Sequence, residues 1–289
     1  MPRIPTPILN CALYVYRSVD DARDGLVSGG SGFVSGFVTQ WSAPNRHLYA
    51  VTNKHVILKA GRTPTLRLNR VDGTMDIVRT DADSWLFHPD GDDLALLPVS
   101  LSDEHEFACV NTDIFLKSNE LSGWVGPGTE AIMIGRFVGH EGRQKNTPAL
   151  RYGNIAMLPD EPIPHDEFGI AQESFLVEMR SLPGYSGSPV FAVRFPFKFR
   201  HDGAAILTNQ PDAPPPWWLT FLGVDWCHLN NYERVCGEDK KPLPEKLYVR
   251  ANTGMAGVIP AWRLRTLLEL DELVLERERR DAERRRGGD

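Results

Sequence analysis

SLPGYSGSPVF, residues 181–191, sets Ser186 among glycines and then runs into an apolar segment. A serine nucleophile needs an exposed Oγ and, beside it, backbone N–H groups able to hold a developing oxyanion. Glycine at 184 permits the tight, side-chain-free path that would aim those N–H groups at one point. The string alone also fits an ordinary turn, so its meaning depends on what the rest of the chain supplies.

Two upstream stretches supply partners. YAVTNKHVI, residues 49–57, is an apolar strand that ends by presenting His55, and HPDGDDLALLPV, residues 88–99, leads Asp93 out of a turn into an apolar run. A serine hydroxyl becomes a useful nucleophile when an imidazole takes its proton, and the imidazole needs a carboxylate to fix its tautomer. The order His55, Asp93, Ser186 is that of chymotrypsin, not of subtilisins or α/β-hydrolases. An α/β-hydrolase elbow would also require glycine where Ser188 stands and a histidine downstream, where His201 and His228 lie in poor context. Through TNKHV, DLALL and GYSGSP the chain resembles the trypsin/chymotrypsin-like serine peptidases, closest to the bacterial HtrA-type and related single-domain branch.

The resemblance implies an all-β, chymotrypsin-like fold of two six-stranded antiparallel β-barrels with a C-terminal α-helix. The expected division is an N-terminal barrel over 8–118 carrying His55 and Asp93, a C-terminal barrel over 119–260 carrying Ser186, and a helix with a charged tail over 261–289. It implies oxyanion donors at the backbone of Gly184 and Ser186, hydrolysis without cofactor or metal, and an extended polypeptide substrate lying along the strand around Trp226. It further implies that Arg180, six residues before Ser186, lies at the base of the primary specificity pocket. There it would select acidic side chains, or else pair with Glu178 or Asp225 and only shape the wall. Asp225 stands where relatives often carry serine, close to the catalytic aspartate. Two adjacent carboxylates disfavour each other's ionisation, so either the register is off by one or a cation neutralises them. Tyr185 replaces the aspartate that in many secreted relatives pairs with a freed N-terminal amine, so activation by N-terminal clipping is not expected.

The strand reading agrees with this. CALYVYRS, GSGFVSGFVT, TPTLRLNR and TMDIVRT in the first half, and GTEAIMIGRFVG, ALRYGNIAM, SFLVEMRS, SPVFAVRF and WWLTFLGVDW in the second, are short apolar or alternating runs broken by turn residues. Ser31, also flanked by glycines, is assigned a structural role. Residues 100–124 read as the connection between barrels, and the proline-rich stretch PFKFRHDGAAILTNQPDAPPP reads as an exposed loop. Trp262, Leu264, Leu267, Leu268 and Val274 fall at helical spacing and predict a helix docked on the second barrel. Residues 276–286, with six arginines against four acidic side chains, read as a solvated extension laced with ion pairs or as a helix for a protein partner.

Composition narrows the alternatives. A net charge of −6 argues against a general nucleic-acid binder. No apolar run reaches the roughly 18 residues of a membrane span, and the proline-interrupted start does not read as a signal peptide, so a cytoplasmic location is expected. Cys11, Cys109, Cys227 and Cys236 then read as free thiols, with Cys227–Cys236 the one pair near enough in sequence to bridge. The Asp90–Asp93 turn lacks the spacing of a calcium loop, and no zinc motif is present. The other class of protein compatible with the residues is a protease-like module that holds extended peptides without cutting them.

Overall fold

The computed structural model describes residues 4–25, 29–40, 46–121, 123–165, 169–193, 197–199, 205–207, 219–238, 240–243 and 245–287. Its first eight strands are β1 Ala12–Tyr16, β2 Gly29–Phe37, β3 His47–Thr52, β4 Thr65–Asn69, β5 Met75–Arg79, β6 Leu86–Phe87, β7 Ala95–Val99 and β8 Val110–Asn111. They form one sheet in the order β5-β4-β1-β2-β3-β7-β6, with β8 paired parallel to β2. This first unit therefore has eight strands rather than six, and no pairing between β5 and β6 closes it among the described residues.

The next ten strands are β9 Glu130–Gly135, β10 Ala149–Met157, β11 Ile163–His165, β12 Ile170–Gln172, β13 Phe175–Glu178, β14 Pro189–Val193, β15 Phe197–Phe199, β16 Ala205–Leu207, β17 Leu219–Arg234 and β18 Tyr248–Pro260. Six of them close a barrel in the order β10-β13-β18-β17-β14-β9. The β15–β16 pair falls inside the stretch read as a loop, most of which lies outside the described residues. Beyond Val224, β14 no longer accompanies β17, which continues with β18 as a long two-stranded extension.

The wholly apolar strands are explained by burial on both faces. Leu13, Val15, Val34 and Ala50 enter one core with Ile57, Leu66 and Trp85. Their neighbours Phe33, Tyr49 and Val51 face the other way, into a core shared with Ile132, Phe191, Phe221 and Trp226 of the barrel. Phe221 is the hinge of this shared core, with ring centroids 5.3 Å from Phe33, 4.7 Å from Phe115 and 5.8 Å from Phe191.

Tyr14 and Tyr16, alternating with Leu13 and Val15, cover a buried polar cluster. The guanidiniums of Arg67 and Arg136 sit 5.3 and 4.4 Å from the Tyr16 ring centroid, and both residues are fully buried. Arg67 is satisfied by Asn146 Oδ1 and by the carbonyls of Ala22, Glu141 and Gly142. Arg136 pairs with the Glu141 carboxylate at 3.0 Å.

Among the described residues there are four α-helices, α1 Val19–Asp24, α2 Lys54–Ala60, α3 Ala261–Leu268 and α4 Asp271–Gly287, besides short 3-10 turns. The single expected C-terminal helix is thus two. The first, α3, packs Leu264, Leu267 and Leu268 into the shared core and meets β17 and β18, as expected. The second, α4, instead crosses to the first unit. Asp281 receives hydrogen bonds from Thr39 Oγ1 at 2.5 Å and His47 Nε2 at 2.9 Å, and Arg277 donates to Tyr49 Oη at 2.9 Å while lying over Phe37. Arg277 and Asp281 are buried, whereas the rest of 276–286 is exposed or half-buried and carries the expected ion pairs of Arg279 with Glu283 and Arg280 with Glu276. That ion-pair pattern hid two residues that serve as intramolecular anchors. No described helix is long and apolar enough to cross a membrane.

Candidate active site

Strand pairing brings the first two candidate residues together. β3 and β7 run antiparallel with Thr52 opposite Ala95, so the residues just past the end of β3 meet those just before β7. Those residues are His55, on the first turn of α2, and Asp93. The Asp93 carboxylate accepts the His55 backbone N–H through Oδ1 at 2.8 Å and contacts His55 Nδ1 through Oδ2 at 2.5 Å. A carboxylate only accepts, so neutral His55 carries its proton on Nδ1 and keeps the lone pair on Nε2. Asp93 is itself fixed, its N–H donating to Gln172 Oε1 at 3.0 Å and its carbonyl accepting from Asn53 Nδ2 at 2.8 Å. The other carboxylates of its turn are engaged by Arg263 of α3, which forms ion pairs with Asp90 at 2.9 Å and with Asp92.

Two consecutive β-turns share Tyr185, and Ser186 is the second residue of the second. Tyr185 N–H donates to Leu182 carbonyl at 3.1 Å, with Pro183 and Gly184 (φ +100°) at the turn's centre; Ser188 N–H donates to Tyr185 carbonyl at 2.8 Å, with Gly187 (φ +89°) third. Glycine at positive φ in the third position is what a type II turn demands. At 187 space demands it as well: a Cβ there would lie 2.1 Å from Ser31 carbonyl oxygen and 2.4 Å from Thr52 Oγ1. The N–H groups of Gly184 and Ser186 donate no hydrogen bond among the described residues, whereas that of Gly187 is taken by Asp225 carbonyl at 2.8 Å.

The first unit holds this loop through Ser31. Its N–H donates to Ser186 carbonyl at 2.9 Å, and its hydroxyl donates to Gly184 carbonyl at 2.7 Å while accepting from Arg136 N–H at 2.8 Å. Ser31 is buried. His55, Gly184 and Ser186 line one cleft of about 560 Å³ between the two units, together with Trp226.

The remaining candidates are placed differently. Arg180 is exposed, is absent from the cleft wall, and pairs with neither Glu178 nor Asp225 among the described residues. Asp225 is fully buried and receives a hydrogen bond from Ser181 Oγ at 3.2 Å. Burial pushes its carboxyl up to about 8, against the lowering effect of Ser181. The Asp93 carboxylate is not among the causes of that shift. Trp226 lines the cleft and donates from Nε1 to Ser174 Oγ at 2.9 Å. Tyr185 is buried, its hydroxyl accepting from Arg151 Nε at 3.0 Å, where an aspartate would have been solvated or paired.

All four cysteines are free. Cys227, on the cleft wall, has its thiol pushed far above the ordinary range by burial, which keeps it out of nucleophilic chemistry. Among the described residues, no three His, Cys, Asp or Glu side chains converge in a way that could hold a metal ion. The sequence reading missed His228, Asn230, Arg250 and Asn252, which extend the cleft wall along β17 and β18. No signal marked Arg250 and Asn252, because the YVRAN run opening β18 is largely exposed and lacks an apolar alternation.

A closed six-stranded barrel packed on a second β unit, with a histidine, an aspartate and a serine drawn to the boundary, is a chymotrypsin-like fold. The family described as trypsin-like peptidase domain matches residues 30–194, more than half of the chain, and the chain belongs to that family. The match runs from β2 to β14 and leaves out β17, β18 and the C-terminal helices. Comparison with the curated proteins gave no match.

Proposed function

We propose that the protein is a serine endopeptidase that cleaves peptide bonds through an acyl-enzyme. Ser186 Oγ attacks the scissile carbonyl, His55 Nε2 takes its proton and returns it to the leaving amine, and Asp93 holds the imidazole in the required tautomer. The N–H groups of Gly184 and Ser186 receive the oxyanion, each such donor lowering the barrier by about 3–4 kcal/mol. Water then hydrolyses the ester, with His55 acting as base a second time. The observation that carries the reading is the two-point contact between Asp93 and His55 on the same cleft as Ser186. An extended polypeptide is the substrate, laid beside β17 where that strand leaves β14. Four free thiols suit a reducing compartment and support a cytoplasmic location.

A fluorophosphonate probe tests this. Wild type should be labelled and Ser186→Ala should not, while Asp93→Asn should lower kcat on the order of 10⁴-fold by inverting the tautomer. A wild-type protein that binds peptides but is never labelled and never cuts would be a holding module instead.

A further inference from the structure

The cleft wall is lined by basic side chains although the whole chain is acidic. The chain's formal net charge is −6, yet Arg17, Lys59 and Arg250 line the cleft together with His55 and His228, and no aspartate or glutamate does so among the described residues. The cations approach from both units, with Arg17 and Lys59 on the first and Arg250 on β18 of the second. A space of about 560 Å³ is roughly 10 Å across if spherical, close to the ~8 Å Debye length at physiological salt. Charges on its wall therefore act on any group bound inside it.

Arg250 is the cation built into position. With the Asn230 amide oriented by its neighbours, the Asn230 oxygen accepts from Arg250 Nη2 at 2.7 Å and from Nε at 3.0 Å. Asn230 lies on β17 and Arg250 on β18, two strands in register from Asn230 opposite Asn252 to Arg234 opposite Tyr248, so a ladder fixes the residue at its base. A guanidinium already held loses less freedom on meeting a carboxylate than a swinging one does. Asp225, next to Trp226 in sequence, is fully buried and stays off the cleft wall, and Asp93 meets the wall only through its contact with His55.

We infer that the cleft selects polypeptide segments bearing aspartate or glutamate beside the bond to be cut, and that Arg250, not Arg180, is the specificity-determining residue. This deepens the peptidase reading and rests on it. Since Arg250 lies outside residues 30–194, the preference belongs to this chain's own β17–β18 extension.

The test uses quenched fluorescent peptides of one scaffold in which each position flanking the cleavage site carries Glu, Gln or Lys. The wild-type kcat/KM for the best Glu peptide should exceed that for its Gln counterpart by about 10- to 100-fold, the range of a charge-assisted hydrogen bond. Salt raised from 0.05 to 0.5 M should shrink that ratio. Arg250→Ala should collapse it and Arg250→Glu should shift preference toward Lys, whereas Arg180→Ala should leave it unchanged. Fluorophosphonate labelling counts the folded sites in each variant, and the salt series gives an answer on wild type alone. Equal rates for Glu and Gln peptides in a labelled, cutting enzyme overturn the inference and leave the peptidase reading standing, as does a ratio that survives Arg250→Ala. Should wild type neither label nor cut, the peptidase reading falls, and anisotropy with the same peptides decides the inference separately: tighter binding of Glu than Lys peptides supports it, and equal binding refutes it.

Discussion

Glu141→Gln removes the carboxylate that faces Arg136 in the polar cluster under Tyr14 and Tyr16. Arg136 is fully buried and Glu141 is only 5% exposed, so water does not replace the lost charge. At the observed 3.0 Å, the gross attraction is about 5 kcal/mol for an effective dielectric of ~20. Glutamine can still accept one hydrogen bond, worth ~1 kcal/mol, and it is cheaper to bury than an ion. The expected net loss is about 3 kcal/mol, at the lower edge of what breaking a buried pair costs. Against a total stability of ~5–15 kcal/mol this is a large fraction, and for a chain of this size it lowers Tm by about 5 °C. Urea unfolding of wild type and variant at pH 7 measures it directly. The double variant Arg136→Met with Glu141→Leu serves as control, since it removes both charges and should recover most of the loss. A loss below ~1 kcal/mol, or a double variant no better than the single, refutes the claim that the Glu141 carboxylate stabilises buried Arg136. The pH dependence has a definite sign. Burial alone would raise the Glu141 carboxyl, but hydrogen bonds from backbone N–H groups and from Arg136, with the Arg136 charge, hold it below the usual range. Its contribution is therefore complete above the ordinary pKa of 4.5 and is lost as pH falls through the lower folded value, a step the glutamine variant lacks.

Asp225 behaves in the opposite sense: its folded carboxyl titrates at about 8 against an ordinary 3.8, so stability present below 3.8 is lost as pH rises toward 8. Asp225→Asn should be more stable than wild type at pH 8, with the difference fading toward pH 4 in urea melts across that window. Asp281→Ala should release α4 from Thr39 and His47, costing about 3 kcal/mol. Limited proteolysis should then trim the last helix from the variant and spare it in wild type.

Much of the fold was written in short-range pattern. The runs ALYVY, HLYAVT and ALRYGNIAM are strands because their apolar residues have cores to enter on one or both faces, and the sequence shows that directly. His55, Asp93 and Ser186 were candidates because each sits at a fixed step from an apolar strand, and the structure puts His55 against Asp93 and on one cleft with Ser186. Arg180 misled because its place was counted along the chain, whereas a pocket wall is set by which strands lie across from it. Arg250 and Asn252 reach the cleft wall from β18, whose exposed outer half carries no core-facing period. In the same way Arg277 and Asp281 looked like surface charges, since nothing local tells an arginine paired along its helix from one buried against Tyr49 and Phe37. The eight strands of the first unit depended on β6 and β8, two residues each, too short for any periodicity.

Ser31 has a further consequence. Through one residue, the first sheet grips the loop that carries Ser186, touching it at the carbonyls of both 184 and 186. Prying the two units apart by the length of a single hydrogen bond would undo that grip while every strand remained intact. A copy strained at that seam would thus lose the alignment of residue 31 with residues 184 and 186 before any strand came apart.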